Sequence, residues 1–264
     1  MLQMVMASEK LAGTDISSLE LIAYGASPIT EAALKTAFRC FPNARFLQAF
    51  GQTELAPVAT VLGTDYHVLE GPKAGKLRSA GRATRCVEIR IVDTHGREVD
   101  RGTVGEIAVK GPVAMLGYWN KPDVTAKTLK DGWVHTGDAG YMDEEGFIFL
   151  MDRLKDMIVS GGENVYSAEV ENAIGQLPAV ATSAVIGIPS EQWGEQVHAI
   201  VILKPGAEAG EQELKDHCHT LIAGYKCPRS IEFRTEPFPL SGANKVLKTE
   251  LRKPFWEGRE RQIS

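Results

Sequence analysis

Four stretches, far apart along the chain, set glycines beside residues suited to handling a nucleotide or its phosphates. They are Gly51-Gln52-Thr53-Glu54; Trp133-Val134-His135-Thr136-Gly137-Asp138; Arg153-Leu154-Lys155-Asp156 followed by Ser160-Gly161-Gly162-Glu163-Asn164; and Pro239-Leu240-Ser241-Gly242-Ala243-Asn244-Lys245. Phosphate chemistry needs donors and cations where negative charge gathers, and glycine lets backbone approach a ligand closely. Each stretch taken alone has an ordinary explanation. A Thr-Glu pair after a strand can cap a helix, Thr-Gly-Asp is a common turn, a run of mixed charge is usually a solvated face, and a lysine in a glycine-rich loop is usually surface.

The elements that must position these residues fall into three textures. From Met1 to about residue 61, helix and strand alternate. Ala32, Ala33, Ala37 and Phe38 sit near helical spacing in 31–39, while Leu19–Tyr24 and Arg45–Phe50 read as strands. Each strand runs into a glycine (Gly25, Gly51), where an α/β sheet usually places its ligand loops. Residues 62–151 read as short strands at regular spacing, among them Val87–Ile91, Gly105–Lys110 and Phe147–Leu150, which predicts a small sheet or barrel. Residues 152–264 read as a compact α+β domain. There Ser167 is expected to cap a helix bearing Val170, Ile174 and Leu177 on one face, Val180–Ile188 and Val197–Leu203 are strands, and Glu211–Ile222 is a second helix. The charged joint Asp152–Asp156 marks the boundary before this domain.

The 264 residues are 44% apolar and 24% charged, a composition that excludes a disordered tail, a collagen-like repeat and a disulfide-dense mini-protein. A net charge of −5 argues against a general nucleic-acid binder. Cys40, Cys86, Cys218 and Cys227 show no CxxC spacing, and no apolar run reaches the length of a membrane-spanning helix. The expectation is a cytoplasmic protein, with a homo-oligomer left open.

Two tempting sites fail on inspection. Gly71-Pro72-Lys73-Ala74-Gly75-Lys76 is one residue short of a phosphate loop, and Leu77 stands where a magnesium-binding hydroxyl belongs, so a turn is expected. His217 and His219, two apart on a helix, point nearly opposite ways and cannot share an ion.

Together and in this order the four stretches resemble the adenylate-forming superfamily of acyl- and aryl-CoA ligases, peptide-synthetase adenylation domains and luciferases. Phe50-Gly51-Gln52-Thr53-Glu54 is similar to the family's YGxTE, and the segment from Tyr118-Trp119 to Asp138 to the one ending in TGD. Asp152 through Glu171 is similar to the hinge motif, and Pro239 to Lys245 to the terminal lysine loop. Gly25-Ala26-Ser27-Pro28-Ile29 and Ser160–Tyr166 look most like medium- and long-chain fatty acyl-CoA ligases.

The resemblance implies the end of a large α/β ligase domain with a small β-rich subdomain, followed by a mobile α+β C-terminal domain. It implies ATP-dependent conversion of a carboxylic acid, a fatty acid by the nearer match, to acyl-AMP, and then thioester formation with coenzyme A. On that basis Glu54 helps hold Mg²⁺ and Thr53 donates to phosphate. Asp138 accepts from both ribose hydroxyls, and Arg153 reaches the ribose–phosphate side. Gly25, Ala26 and Ser27 let backbone approach the adenine, on which Phe50 stacks, and Gly51 lies beside the acyl group. Lys245 bridges carboxylate and α-phosphate as charge develops. Lys155 is the hinge, and Gly161 and Gly162 line the pantetheine path. Lys226 and Arg229 match positions near CoA, although a solvated basic loop explains them equally.

The sequence departs from the pattern in two respects. The family's Ser/Thr/Gly-rich phosphate loop and most of the acyl pocket are absent, and Asn244 replaces the glycine before the catalytic lysine. The expectation is a C-terminal portion of a ligase, incomplete for catalysis without the missing N-terminal region and with exposed strand edges near Leu21 and Leu47. Two alternatives stand beside it: an acyl-AMP ligase or adenylation domain delivering to a carrier protein, and a non-catalytic nucleotide- or CoA-binding module.

Overall fold

In the computed structural model, which describes residues 1–26, 29–242 and 245–258, strand β1 (Leu21–Gly25) runs parallel to β2 (Arg45–Phe50). Helix α1 (Leu2–Met6) precedes them, and α2 (Glu31–Cys40) connects them. Thr30 caps α2 through its hydroxyl, which accepts the Ala33 N–H at 3.2 Å. Ala37 and Phe41 pack on Phe46 of β2. Strands β3 (Thr60–Leu62) and β4 (Arg82–Ala83) complete a sheet of order β1-β2-β3-β4. The strand around Leu47 is therefore paired on both sides, contrary to the expectation of an exposed edge. Only β1 ends this sheet on that side, with Leu21 45% exposed.

The second sheet is antiparallel and open rather than a barrel. Its strands are β5 (Glu88–Val92), β6 (Gly105–Lys110), β7 (Leu129–Lys130), β8 (Trp133–Met142) and β9 (Ile148–Arg153), with α3 (Pro122–Thr128) leading into β7. The order is β5-β6-β8-β7, and β9 pairs with β8. Ile107, Val109, Val134, Met142 and Ile148 share one apolar cluster with Phe50 and Leu55, so a single core backs both sheets. The Gly71–Lys76 stretch is a turn, and its Lys76 ammonium is 2.6 Å from both Asp143 and Glu145. Up to Leu150, partway along β9, these elements belong to one compact unit, residues 1–150.

Residues 151–264 form a second unit. It contains β10 (Ile158–Ser160), β11 (Glu163–Val165), α4 (Ser167–Ile174), β12 (Val180–Ser190), β13 (Gly194–Leu203), α5 (Glu211–Leu221), β14 (Ser230–Phe233) and α6 (Lys248–Trp256). The strand order is β11-β10-β13-β12, with β14 parallel to β13. Val185, Val197, Ala199 and Val201 meet Val170, Ile174, Leu214 and Cys218 of α4 and α5, while Ala184, Ile186 and Ile200 meet Leu251 of α6. Both faces are covered, which explains why β12 and β13 are almost continuously apolar. His217 turns its ring to the Ala173 carbonyl while His219 lies beside Gly224, so the two part as helical geometry requires. Among the described residues no helix is long and apolar enough to cross a membrane.

Ser167 does not cap α4, as its position had suggested. It is the first helical residue, and the carboxylate of Asp152 accepts from both its N–H and its hydroxyl. The same hydroxyl meets the Lys248 ammonium of α6, which lies 2.7 Å from Glu171 Oε1. Glu171 Oε1 also accepts the Val185 N–H at 2.8 Å. Burial pushes the Glu171 carboxyl up, with Lys248 opposing that shift. Burial also opposes the Lys248 charge, yet the Glu171 and Asp152 carboxylates hold its pKa above the ordinary lysine value. Removing one member of such a pair strands a buried charge. Lys248→Met is expected to cost about 3–5 kcal/mol in urea unfolding, and the double variant Lys248→Met/Glu171→Met to recover only part of it, because the Val185 N–H then loses its acceptor. A loss below about 1 kcal/mol for the single variant would refute the assignment.

Candidate functional site

Residues 1–150 carry two irregular backbone features at the expected positions. The first follows β2. Because β1 and β2 are parallel with Gly25 opposite Ala49, the Gly25-Ala26 and Gly51–Glu54 segments leave the same end of the sheet. A Cβ on Gly25 would lie 2.1 Å from the Ala49 oxygen, and one on Gly51 would lie 2.0 Å from the Pro57 oxygen. Only glycine allows these approaches. Ala26 has φ +64, and Ser27, with Pro28, lies outside the described residues. After Gly51 a short 3₁₀ turn, Thr53–Leu55, is anchored by fully buried Leu55 and leaves Thr53 exposed and Glu54 half-buried.

Glu54 is held from outside its own loop. Its Oε1 accepts the Tyr118 hydroxyl at 2.6 Å, and its backbone oxygen accepts the Met115 N–H at 2.9 Å. Burial raises the Tyr118 pKa, and the bond to Glu54 raises it further. Tyr118 is fixed in turn through its N–H on the Thr125 hydroxyl at 2.9 Å. Phe50 is buried in the shared core with Leu55 and Ala59, which leaves little ring face for an adenine.

The second feature is Thr136-Gly137-Asp138, which is not a turn but a bulge inside β8. Ala108 pairs with His135 and Glu106 with Ala139, so β8 carries two more residues than β6 between those pairs. Gly137 takes φ +70. Its N–H donates to Glu106 Oε1 at 3.0 Å, His135 Nδ1 lies 2.7 Å from Glu106 Oε2, and the Thr136 hydroxyl donates to the Ile107 oxygen at 2.8 Å. The Asp138 N–H bonds the Thr136 hydroxyl at 3.1 Å, and Asp138 is buried. Bulges of this kind re-aim side chains beside active sites.

In residues 151–264, Arg153 ends β9, and its oxygen accepts the Met157 N–H across the short turn Leu154–Asp156. Lys155 is exposed; its backbone oxygen accepts from Arg252 of α6 at 2.9 Å, and Asp156 is ion-paired to the same guanidinium. Gly161 and Gly162 form the left-handed turn between β10 and β11, with φ +63 and +85. A Cβ on Gly161 would sit 2.7 Å from the Trp193 ring, whose other neighbour is the Arg229 guanidinium at 4.4 Å. Lys226, by contrast, grips both oxygens of Glu169 at 2.7 and 2.8 Å. Lys245 is exposed beyond a closed loop base, where Ser241 N–H bonds the Lys245 oxygen at 2.8 Å and Leu240 pairs with Val246. Ala243 and Asn244 lie outside the described residues.

Sequence reasoning missed Glu106, which looked like one polar residue of an alternating strand. The role of Tyr118 in holding Glu54 and the Asp152–Ser167–Lys248 chain are likewise visible only in the fold.

With this geometry established, the comparisons place the chain. The model for the AMP-binding enzyme matches residues 1–119, and that for the AMP-binding enzyme C-terminal domain matches residues 169–245. The chain belongs to the AMP-binding, adenylate-forming enzyme family. It is 39% identical to the fatty acid–[acyl-carrier-protein] ligase ScoC of Streptomyces coeruleorubidus, over 100% of this chain and 50% of that protein. It is 41% identical to the medium/long-chain-fatty-acid–CoA ligase FadD8 of Mycobacterium tuberculosis, over 94% of this chain and 44% of that one. The o-succinylbenzoate CoA synthetase of Bacillus subtilis, solved with its acyl-adenylate OSB-AMP, superposes with a TM-score of 0.82 at 33% identity. That match covers 94% of this chain and 49% of the synthetase. The chain thus spans about half the length of the relatives it matches.

Gly51→Ala is expected to lower stability by about 1–3 kcal/mol in thermal unfolding, because the methyl meets a backbone oxygen that cannot retreat freely. Gly63→Ala, with open space around it and φ −65, serves as the control and is expected to be neutral or slightly stabilising. Equal effects at the two sites would contradict the close approach at Gly51.

Proposed function

We propose that this chain is the C-terminal portion of an acyl-CoA ligase that activates a fatty acid with ATP as acyl-AMP and then transfers the acyl group to the thiol of coenzyme A. The observation that carries the reading is the Glu54 turn and the Asp138 bulge built on one apolar core, in a chain of this family. In the first step a carboxylate oxygen attacks the α-phosphorus and pyrophosphate leaves, so donors and cations must meet charge gathering on phosphate. Thr53 and Lys245 supply them. Asp138, with Arg153 nearby in sequence function, holds the ribose side, and Gly25 and Ala26 admit the adenine.

Glu54 suits Mg²⁺, a hard cation that takes one or two carboxylates and completes its shell with water and substrate phosphate. When bound it offsets phosphate charge. Tyr118 then keeps one Glu54 oxygen fixed. Phe50 contributes to this reading as core, not as a stacking platform.

In the second step the thiolate attacks the acyl carbon and AMP leaves. Lys155 is the point about which residues 151–264 turn, with Gly161 and Gly162 bordering the pantetheine. Free cysteines at Cys40, Cys86, Cys218 and Cys227 accord with a cytoplasmic enzyme. ScoC supports a second reading, delivery of the acyl group to a carrier protein, which uses the same adenylation residues.

The test is mass-spectrometric detection of acyl-CoA from MgATP, CoA and a panel of fatty and aromatic acids, using this chain and an N-terminally extended form. In the active form Lys245→Ala is expected to slow adenylation by roughly 10²–10³-fold while sparing thioester formation from preformed acyl-adenylate. Equal loss in both half-reactions would remove Lys245 from that role. Lys155→Pro, which fixes φ, is expected to do the reverse, and survival of both steps would end the hinge assignment. Acyl transfer to carrier protein in preference to CoA would favour the second reading, and saturable AMP binding without turnover in the extended form would favour a binding module.

A further inference from the structure

The bulge in β8 leaves a backbone amide with no strand partner. The two extra residues of β8 carry Gly137 out of register with β6. A part-buried amide without an acceptor is costly, so an acceptor is needed here. The amide is taken by Glu106, the residue of β6 paired with Ala139 immediately beyond the bulge. Its second oxygen is 2.7 Å from His135 Nδ1, immediately before the bulge. One half-buried carboxylate therefore ties the residue before the three-residue excursion to its middle amide.

An ionised carboxylate only accepts, so His135 presents Nδ1–H to it and the clamp is satisfied on both sides. The insertion of two residues also preserves alternation: Val134 before the bulge and Met142 after it lie in the same core cluster. The bulge changes local direction without turning the strand over. Thr136 adds a second fastening to the Ile107 oxygen, but that bond holds the strand edge; only Glu106 reaches the Gly137 amide next to Asp138.

We infer that Glu106, locked by His135, is a positioning residue for ribose recognition: it sets the backbone from which Asp138 projects and thereby determines selection for a ribonucleotide. This rests on the reading that Asp138 holds the ribose hydroxyls, and the test separates the two. Glu106 itself touches no ligand; it acts through Asp138.

The measurement is equilibrium dialysis of this chain with AMP and with 2′-deoxy-AMP, reported as the ratio of their affinities. The unaltered chain prefers AMP, and Asp138→Ala abolishes the preference. If the chain does not discriminate, or Asp138→Ala keeps the preference, the ribose reading fails and the positioning role falls with it. Given a sound ribose reading, Glu106→Ala is expected to shrink the preference about tenfold, the loss that follows from orphaning one part-buried amide. An unchanged ratio, or equal weakening of both nucleotides, overturns the positioning role and leaves Glu106 merely structural. Should Glu106→Ala not fold, Glu106→Met decides: it fills a similar space but accepts from neither Gly137 nor His135, so the ratio falls about tenfold, and no change refutes the inference.

Discussion

Between the pairs Ala108–His135 and Glu106–Ala139, β8 holds two residues that β6 cannot match, and the amide released there must find an acceptor. The same demand recurs wherever a candidate residue stands. The Glu54 turn departs from sheet pairing after Phe50, and its backbone oxygen is taken by Met115 while its carboxylate is taken by Tyr118. Helix α4 begins at Ser167, and its first N–H is taken by Asp152 from a segment fifteen residues earlier. Regular sheet and helix cannot present several polar groups to one small ligand, because their backbone is fully engaged. Chemistry is placed at interruptions, and each interruption needs a partner from elsewhere in the chain.

Within residues 151–264 these partners form a continuous chain. Helix α6 begins three residues after Lys245 and fastens the joint at both ends: Lys248 reaches Asp152 through Ser167, and Arg252 takes the Lys155 oxygen and the Asp156 carboxylate. The proposed hinge and the helix that follows the proposed adenylation lysine are therefore joined by hydrogen bonds and ion pairs. Buried ion pairs do not usually add much stability over apolar packing. Their use here is to fix register between segments almost a hundred residues apart, which apolar contacts tolerate less exactingly.

Much of the frame was legible because its signals are local. The helix at 31–40, strands at 45–50 and 105–110, and the nearly continuous apolar runs of β12 and β13 all carry their signal in their own residues. What escaped was non-local. The bulge preserves alternation, so Thr136-Gly137-Asp138 looks like a turn or plain strand in sequence, and Glu106 looks like an ordinary outward residue. Ser167 has the right type for a cap, but the cap comes from Asp152. The edge expected near Leu47 is filled by β3, a strand of three residues too short to announce itself. Phe50 stands in an aromatic position of the motif, yet its burial follows from Leu55 and Ala59 folding back over it.

The acceptor of the acyl group is the point at which local geometry says most beyond motif matching. Lys226 and Arg229 stood as equals in the sequence, each a basic residue in a short loop. The fold separates them. Lys226 has both oxygens of Glu169 as partners and so stabilises the first turn of α4, where a carboxylate already favours the helix dipole. Engaging a phosphate there would mean breaking that pair. Arg229 lies over the Trp193 ring, its guanidinium carbon 4.4 Å from the ring centroid, and the same ring closes on the Gly161 turn.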